Sequence, residues 1–582
     1  MTILKPLYRL KKYISLYKRE IIIGFVLVVV ANILYAVLPK ILQIIIDKIE
    51  QGIASRQLIF YVGLLVFITA VFSGIRFLMR RIIVGVARKI EYHLRNDYFL
   101  HLQKLSQNFF IKNKTGDLMA RATNDVRSVA MTLGRAYLFF LGNVVVFIVV
   151  FVLMVTTNLR LTLLALIPFP LVIFIVYKSM NFFFQTYQKI QEKFSDITAK
   201  TQENISGVRV VKAYVQEEHE IKKFMNLNQS YLDENLKLAR ARGLLSASVE
   251  VLFGLAFIVL LWVGGNATIK NQISIGDFVA FTVWLGMLSW PIFSFGWVIN
   301  LVQRASASMK RINAIMDEKP EIQNTEICDK SIKSINGEIE FKNVSFAYEK
   351  MVVLKNINFK IEAGKTAAIV GPTGSGKTTL INLILRLIDS TSGTILIDGK
   401  NIRTFRLKML RKNIGYVPQE TFLFSETIEE NISFGVKNPE FKEIDWAARV
   451  STIRDDLVNF PDKYQTLIGE RGVNLSGGQK QRTAISRALL KKPKILILDD
   501  ALSSVDTYTE EKILTGFKEN NNQQTNLVIS HRISSVKHAD NIFVLFKGEI
   551  VERGRHDELI DKRGFYAELY QQQLLEEALE EL

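Results

Sequence analysis

At 582 residues the chain is far too long for one ordinary domain, so at least two are expected, and long apolar runs confined to its first half set that half apart from a soluble-looking remainder. The formal charge of +18 invites a nucleic-acid reading, but lysine and arginine in the segments flanking apolar runs account for it, and nucleic acid is set aside as a partner. A single cysteine, Cys328, excludes an intramolecular disulfide and reads as an incidental thiol in a linker.

The N-terminus places Lys5, Arg9, Lys11, Lys12, Lys18 and Arg19 ahead of an apolar run that begins at Ile21, the charge pattern of a signal peptide. That run continues to about Ile45, too long for a signal core, and more follow, so it is a retained membrane helix. Six stretches are long enough to cross a bilayer, at about 21–45, 58–79, 136–155, 161–177, 244–269 and 278–302. An even number returns both termini to one side. The N-terminal segment and the stretches at about 80–135 and 178–242 are rich in Lys and Arg, whereas the turns near Asn158 and Lys270 are short, so both termini are expected in the cytoplasm.

The two long basic stretches keep helical spacing and are too polar for lipid, so each is expected to be a helical pair reaching tens of Å into the cytoplasm, or, for the second, one continuous helix. Thr115-Gly116-Asp117-Leu118-Met119-Ala120-Arg121 reads as a helix start in the first, and the region around Gly207 is its counterpart in the second. The sixth span carries Phe278, Phe281, Trp284, Trp290, Phe293, Phe295 and Trp297 with Pro291 among them, which suits lipid anchoring and core packing, or the wall of a cavity for bulky amphipathic cargo. Asn300, Arg135 and Glu250 are polar groups at or near spans and are candidates for facing water or a partner helix. Residues 1–320 are read as an all-α transmembrane domain of six helices with long cytoplasmic extensions.

A charged linker leads to residues 337–582, read as an α/β domain with a P-loop. Its first strand pattern runs through Ile339, Phe341, Val344 and Phe346, followed by Tyr348, whose ring either packs locally or stacks on adenine. The buried strand pattern Thr366-Ala367-Ala368-Ile369-Val370 then enters Gly371-Pro372-Thr373-Gly374-Ser375-Gly376-Lys377-Thr378, a phosphate-binding loop. Its glycines let backbone N–H groups turn toward phosphate oxygens, and a helix expected from Thr379 to about Leu387 adds its positive end. Lys377 is expected to reach the β and γ phosphates of ATP and the Thr378 hydroxyl to bind Mg²⁺.

Ile495-Leu496-Ile497-Leu498 is a second apolar strand ending in Asp499, placed to hold Mg²⁺ mostly through water, and Asp500, placed to orient or deprotonate the attacking water. Leu475-Ser476-Gly477-Gly478-Gln479 offers free backbone amides and a hydroxyl at the start of a helix rich in Lys480, Arg482 and Arg487. Gln419 follows the strand pattern Gly415-Tyr416-Val417-Pro418, and His531 follows Leu527-Val528-Ile529-Ser530, within reach of a γ-phosphate or merely structural.

These motifs, in this order and spacing, resemble the ATP-binding cassette transporters, specifically exporters with six spans followed by a nucleotide domain, and the resemblance covers nearly the whole chain. It implies a type I exporter fold in a bacterial inner or plasma membrane. It makes Tyr348 the adenine-stacking aromatic, Gly371 to Thr378 with Thr379 the ATP-binding Walker A loop and its helix start, Gln419 a Q-loop residue touching Mg²⁺ and the attacking water, and Ser476 to Gln479 the signature. Glu470 resembles the X-loop acid, Ser503 to Asp506 the D-loop and His531 the switch histidine, and the Gly116 to Arg121 and Gly207 segments become coupling elements. In this family two cassettes close head to tail, Walker A of one facing the signature of the other, so a second half-transporter is required.

One residue departs from the pattern: Asp500 stands where the family usually has glutamate, one methylene or roughly 1.5 Å shorter. Water positioning tolerates heavy-atom separations of about 2.6 to 3.2 Å, so the shortening is expected to slow hydrolysis. The substitution resembles one subunit of bacterial heterodimeric multidrug exporters, which implies a slower site built on this chain's Walker motifs and an intact signature lent to a non-identical partner. Export of small amphipathic compounds leads. A lipid flippase, a homodimeric exporter and a channel-like regulator are the alternatives on the same architecture, and a soluble cassette ATPase acting on nucleic acid is opposed by the six spans.

Overall fold

The computed structural model of the protein describes residues 5–324, 327–329, 331–349, 351–469, 475–519, 523–533 and 535–580. The chain forms two compact units, one of Met1–Gln103 with Lys114–Glu318, the other of Lys104–Asn113 with Lys319–Leu582.

Among its described residues the first unit holds six helices long and apolar enough to cross a membrane: Lys18–Glu50, Ser55–Leu102, Thr115–Thr157, Leu159–Ser206, Glu217–Ile269 and Ile275–Met316. The side chains of Phe293 and Phe295 on the sixth lie outside the described set. The second and fourth run for 48 residues, roughly 72 Å at ~1.5 Å per residue, more than twice a hydrocarbon core of ~30 Å, so the surplus length forms the polar extensions. The second extension is a helical pair, not one continuous helix. It breaks at Gly207, turns through the short helix Val208–Ala213 with Val215 at φ 52°, and returns from Glu217.

Apolar side chains of the spans meet in a core that includes Ala36, Val150, Ala256, Phe281 and Trp284. The Trp284 indole donates to the Ala36 carbonyl at 2.9 Å, tying the first span to the sixth. Ser274 caps the sixth helix in a box with Asp277, and Asp47 at the end of the first accepts from the Ser274 hydroxyl at 2.9 Å and the Gly276 N–H at 2.8 Å. In the polar extensions buried Asp125 accepts from Ser308 and from Arg311 Nε, each at 2.9 Å.

The second unit is built on ten strands: β1 (Ile339–Tyr348), β2 (Met351–Ile361), β3 (Thr366–Val370), β4 (Ser392–Ile397), β5 (Lys400–Asn401), β6 (Ile414–Val417), β7 (Ile495–Asp499), β8 (Thr525–Ile529), β9 (Asn541–Phe546) and β10 (Glu549–Gly554). One sheet is antiparallel in the order β2-β1-β4-β5; the other runs β10-β9-β3-β8-β7-β6 and is parallel from β9 to β6. Strict alternation sends successive residues of the parallel strands to opposite faces. Ala367, Ile369, Ile495 and Ile497 enter a core shared with the antiparallel sheet, whereas Ala368, Val370, Leu496 and Leu498 enter a core roofed by helices.

Residues Lys104–Asn113 leave the membrane helices to join this unit. Their helix, Gln107–Lys112, is held by Asn108 and Ser106, which donate to Glu321 at 2.9 and 3.2 Å, and by Lys112 paired with Glu349 at 3.0 Å. Thr115 starts a helix, Thr115–Ala120, in the membrane unit, where the Leu118 carbonyl accepts from Tyr98 at 3.2 Å. Cys328 forms no disulfide among the described residues, and its thiol donates to the Phe405 carbonyl at 3.6 Å.

Candidate nucleotide site

Parallel strands bring their carboxyl ends to one edge of a sheet, and ligands of such sheets bind there. β3 delivers the loop 371–376, β8 delivers Ser530 and His531, β7 delivers Asp499 and Asp500, and β6 delivers Gln419, four adjacent strands feeding one edge. The loop owes its shape to glycine: Gly374 and Gly376 sit at φ +80° and +108°, and a Cβ on Gly376 would stand 2.8 Å from Leu354 on β2. Tyr348 ends β1 opposite Met351, three residues before Leu354, with its half-buried ring set edge-on against Phe346 at 4.7 Å. The helix after the loop spans Lys377–Ile384, starting two residues earlier than the sequence suggested and ending earlier. Pro372 is half-buried, Thr373 and Gly374 are exposed, and Thr379 is buried in the helix's first turn.

Lys377 is buried, and its ammonium donates to the carbonyls of Gly371 at 2.7 Å and Pro372 at 2.9 Å. Burial lowers its pKa below the ordinary lysine value, opposed by the charges of Asp499 and Asp500. Burial likewise pushes the Asp499 carboxyl up to about 6; the Thr378 hydroxyl bonded to it and the Lys377 charge pull the other way, and Asp500 adds to the rise. Asp500 sits at φ 49°, a conformation aspartate tolerates, with its N–H donating to the Ile529 carbonyl at 2.7 Å. His531 is held below the usual histidine range by burial and by Lys377, against Asp500. Lys377, Asp499, Asp500 and His531 therefore form one electrostatic cluster, and Gln419 lies exposed on the bend after β6.

The donor set fits a magnesium–triphosphate. Thr378 and Asp499 pair a hydroxyl with a carboxylate, both hard oxygen ligands, and among the described residues the buried Asp499 Oδ2 and Ser375 Oγ have no hydrogen-bond partner.

Ser476 caps the helix Gly477–Leu490 in a reciprocal box with Gln479: the Ser476 hydroxyl oxygen accepts from the Gln479 N–H at 3.2 Å, and Gln479 Oε1 accepts from the Ser476 N–H at 3.0 Å. Among the described residues nothing accepts from the Ser476 hydroxyl. Gly477 and Gly478 let this turn close on Ser504; a Cβ on Gly478 would meet the Ser504 carbonyl at 2.8 Å. Two of the helix cations are engaged elsewhere, Arg482 with Asp456 at 2.6 Å and Arg487 with the Asn431 carbonyl at 2.7 Å. Glu470 and Arg471 to Asn474 lie outside the described residues.

The helix behind the phosphate loop packs Leu380, Ile381 and Ile384 into one core, while the signature helix packs Ala484, Ile485 and Leu489 into the other, on opposite faces of the parallel sheet. The helices behind the two motifs thus lie in different cores of the same domain.

Two glutamines outside the motifs hold the site's loops. Buried Gln481 donates to the Ser503 hydroxyl at 3.0 Å and accepts from the Ser504 N–H at 2.9 Å, joining the signature helix to the segment after Asp500. Gln573, on the last helix Phe565–Glu580, accepts from the Ile533 N–H at 2.8 Å and donates to the His531 carbonyl, bracketing the histidine's backbone. No sequence signal marked Gln573; Gln481 follows the signature by two positions.

Residues 21–292 match the family model described as the ABC transporter transmembrane region, and residues 354–503 match the model described as ABC transporter. The chain is 36% identical over 557 residues, 95% of each chain, to a probable multidrug resistance ABC transporter ATP-binding/permease protein, YheI, of Bacillus subtilis. It is 37% identical over 554 residues, 95% of this chain and 91% of the other, to an ATP-dependent lipid A-core flippase of Syntrophus aciditrophicus. A solved bacterial Atm1-family ABC exporter with ATP bound superposes with a TM-score of 0.80 at 26% identity, covering 96% of this chain and 99% of that one.

Proposed function

Because the chain belongs to the ABC transporters, with the transmembrane region and the ATP-binding domain on one polypeptide, we propose that it is one half of a dimeric multidrug-type exporter whose own Walker motifs build the slower site of a heterodimer. The protein is an integral membrane ATPase that couples ATP hydrolysis to export. The observation that carries the dimer is the placement of phosphate loop and signature on opposite faces of one sheet, which leaves each site to be completed by a second cassette. Both termini are cytoplasmic in this reading, and the cargo is amphipathic or hydrophobic. Lipid flipping is the second reading, favoured by the flippase relative.

The loop amides and Lys377 would hold the phosphates and Tyr348 would stack on the adenine; Thr378, Asp499 and Gln419 would hold Mg²⁺, which when bound would supply neutralisation of phosphate charge. Asp500 orients the attacking water from a side chain one methylene short, and His531 contacts the γ-phosphate. The partner's signature, a serine hydroxyl and helix N-terminus of the Ser476 kind, closes the other side. Binding across both cassettes favours the closed pair over the separated one, and that difference in free energy shifts the spans between inward- and outward-facing states.

Purifying the chain with and without whatever half-transporter co-purifies from its native membrane, and measuring ATP turnover, tests the reading. The chain alone is expected to hydrolyse slowly, and Asp500→Glu to raise its turnover at least tenfold, ~1.4 kcal/mol of barrier. Brisk hydrolysis by the lone chain, unimproved by Asp500→Glu, would remove the heterodimer.

A further inference from the structure

A cavity of about 160 Å³ lies in the cassette between the helix Thr507–Glu519, strand β8 and residues 535–539. None of residues 371–378, Asp499, Asp500 or His531 lines it, so it is separate from the nucleotide site. Glu510 lines it and is 3% exposed. Among the described residues Glu510 is the one side chain whose two carboxylate oxygens are both buried and without a hydrogen-bond partner.

The half-buried acid Asp445 shows the contrast, since Arg449 and Arg454 pair with it at 3.0 and 2.8 Å. Arg532, Lys537 and Ser535 pull on the Glu510 charge, but burial outweighs them, and among the described residues none of the three meets the carboxylate in ion-pair or hydrogen-bond geometry. Glu511 and Lys537, exposed at the rim, carry opposite charges.

A further acceptor stands in the same wall. Asn526 on β8 donates from its amide to the Thr366 hydroxyl at 3.2 Å, while its Oδ1 is buried and has no partner among the described residues. Leu514, Phe517 and Val528 make the apolar part of the wall.

Orphan acceptors on an apolar wall are costly until a donor meets them. Both oxygens of one carboxylate, open together, match a planar head that offers two parallel N–H groups and a positive charge, as amidinium and guanidinium do. An ammonium satisfies them less well, being a point charge without that fork, and a divalent cation takes about six oxygens, more than Glu510 and Asn526 provide. Volume limits the body, because a dry cavity of roughly 150 Å³ holds benzene.

We propose that this cavity is a second ligand site of the cassette, taking a small planar cation: an amidinium or guanidinium on a body no larger than one ring. Two N–H groups of the head bond the Glu510 oxygens, a third reaches Asn526 Oδ1, and the body lies against Leu514, Phe517 and Val528.

Calorimetric titration of the full-length chain in nanodiscs, saturated with MgADP, tests the assignment with benzamidine, benzamide and benzoate. Benzamidine is expected to bind at least tenfold more tightly than benzamide, and benzoate not to bind. Glu510→Gln is expected to bring benzamidine down to the level of benzamide. Leu514→Trp, which keeps the carboxylate and fills the cavity, should weaken benzamidine by a similar factor. Hydrogen exchange on the unaltered chain locates the ligand: benzamidine is expected to slow exchange in 507–519 and 525–529, and slowing confined to other segments overturns the proposal. Equal affinity of benzamidine and benzamide for the unaltered chain, the outcome if Glu510 is a neutral acid bonded to water, also overturns it even if no variant folds. MgADP affinity, measured on the same preparation, reports the nucleotide site independently of either result.

Discussion

In the cassette, Lys377 is buried, pinned by two carbonyls of its own loop and surrounded by glycines whose backbone angles no other residue adopts freely. In the membrane unit, Arg76, Arg80 and Arg135 line a large cavity on helix faces, and among the described residues none of them has an ion pair. The first arrangement presents main-chain donors and one fixed charge, so it suits a single chemical shape. The second holds its charges on movable side chains beside an apolar wall, so no one shape is fixed there.

The largest effect expected from this contrast is at Lys377. Lys377→Ala should lower ATP turnover of the assembled complex by at least ~10²-fold, the scale of losing one preorganised charge, whereas Arg80→Gln should lower it less than tenfold. Comparable losses of steady-state turnover in the two variants would break the contrast.

Rigidity of the cassette site is also expected to depend on Gln573. Gln573→Ala removes both bonds that bracket His531, and one such bond, ~1.4 kcal/mol, corresponds to about tenfold in turnover. Unchanged kcat in the purified complex would show that the histidine is held by its strand alone.

Charge in the membrane unit is not everywhere unanswered, and Asp125→Asn probes a place where it is satisfied. Loss of the bonds from Arg311 and Ser308, discounted because Arg311 is half exposed, should cost ~1–2 kcal/mol and lower the melting temperature by ~3–6 °C at saturating detergent. Cassette charge has its exception in Glu510, whose carboxyl is raised by burial against the pull of Ser535, Arg532 and Lys537. With a folded-state value above the unfolded one, the folded chain binds the extra proton, so this group's contribution to stability falls as pH rises from the unfolded glutamate value through the folded one. Glu510→Gln should therefore raise the melting temperature at pH 7.5 by ~2–4 °C and leave it unchanged near pH 4.

Much of the cassette is legible in the sequence because its chemistry is local. The phosphate loop needs glycine at positive φ beside a buried strand, and both leave marks within a dozen residues. Ser476 and Gln479 announce their capping box by spacing alone. Gln573 leaves no mark, since it follows Gln571 and Gln572 and only the fold brings it to His531. Arg80 opens the basic stretch that follows the second apolar run and Arg76 falls inside that run; hydropathy gives a span's length but not which neighbour its faces meet. The helix start at Thr115 is visible in the sequence, whereas nothing marks Gln107–Lys112 as part of the cassette's unit. The serine before that shorter helix spends its hydroxyl on Glu321 instead of capping, so the usual start signal is silent.

That short helix has a consequence for engineering. Because Lys104–Asn113 is part of the cassette's compact unit, the module is discontinuous in sequence, and a graft that transplants Lys319–Leu582 onto a related membrane half carries only part of it. Glu321 and Glu349 would then face a foreign loop in the recipient, so chimeras that also exchange the 104–113 insert should express and assemble better than those joined at the linker alone.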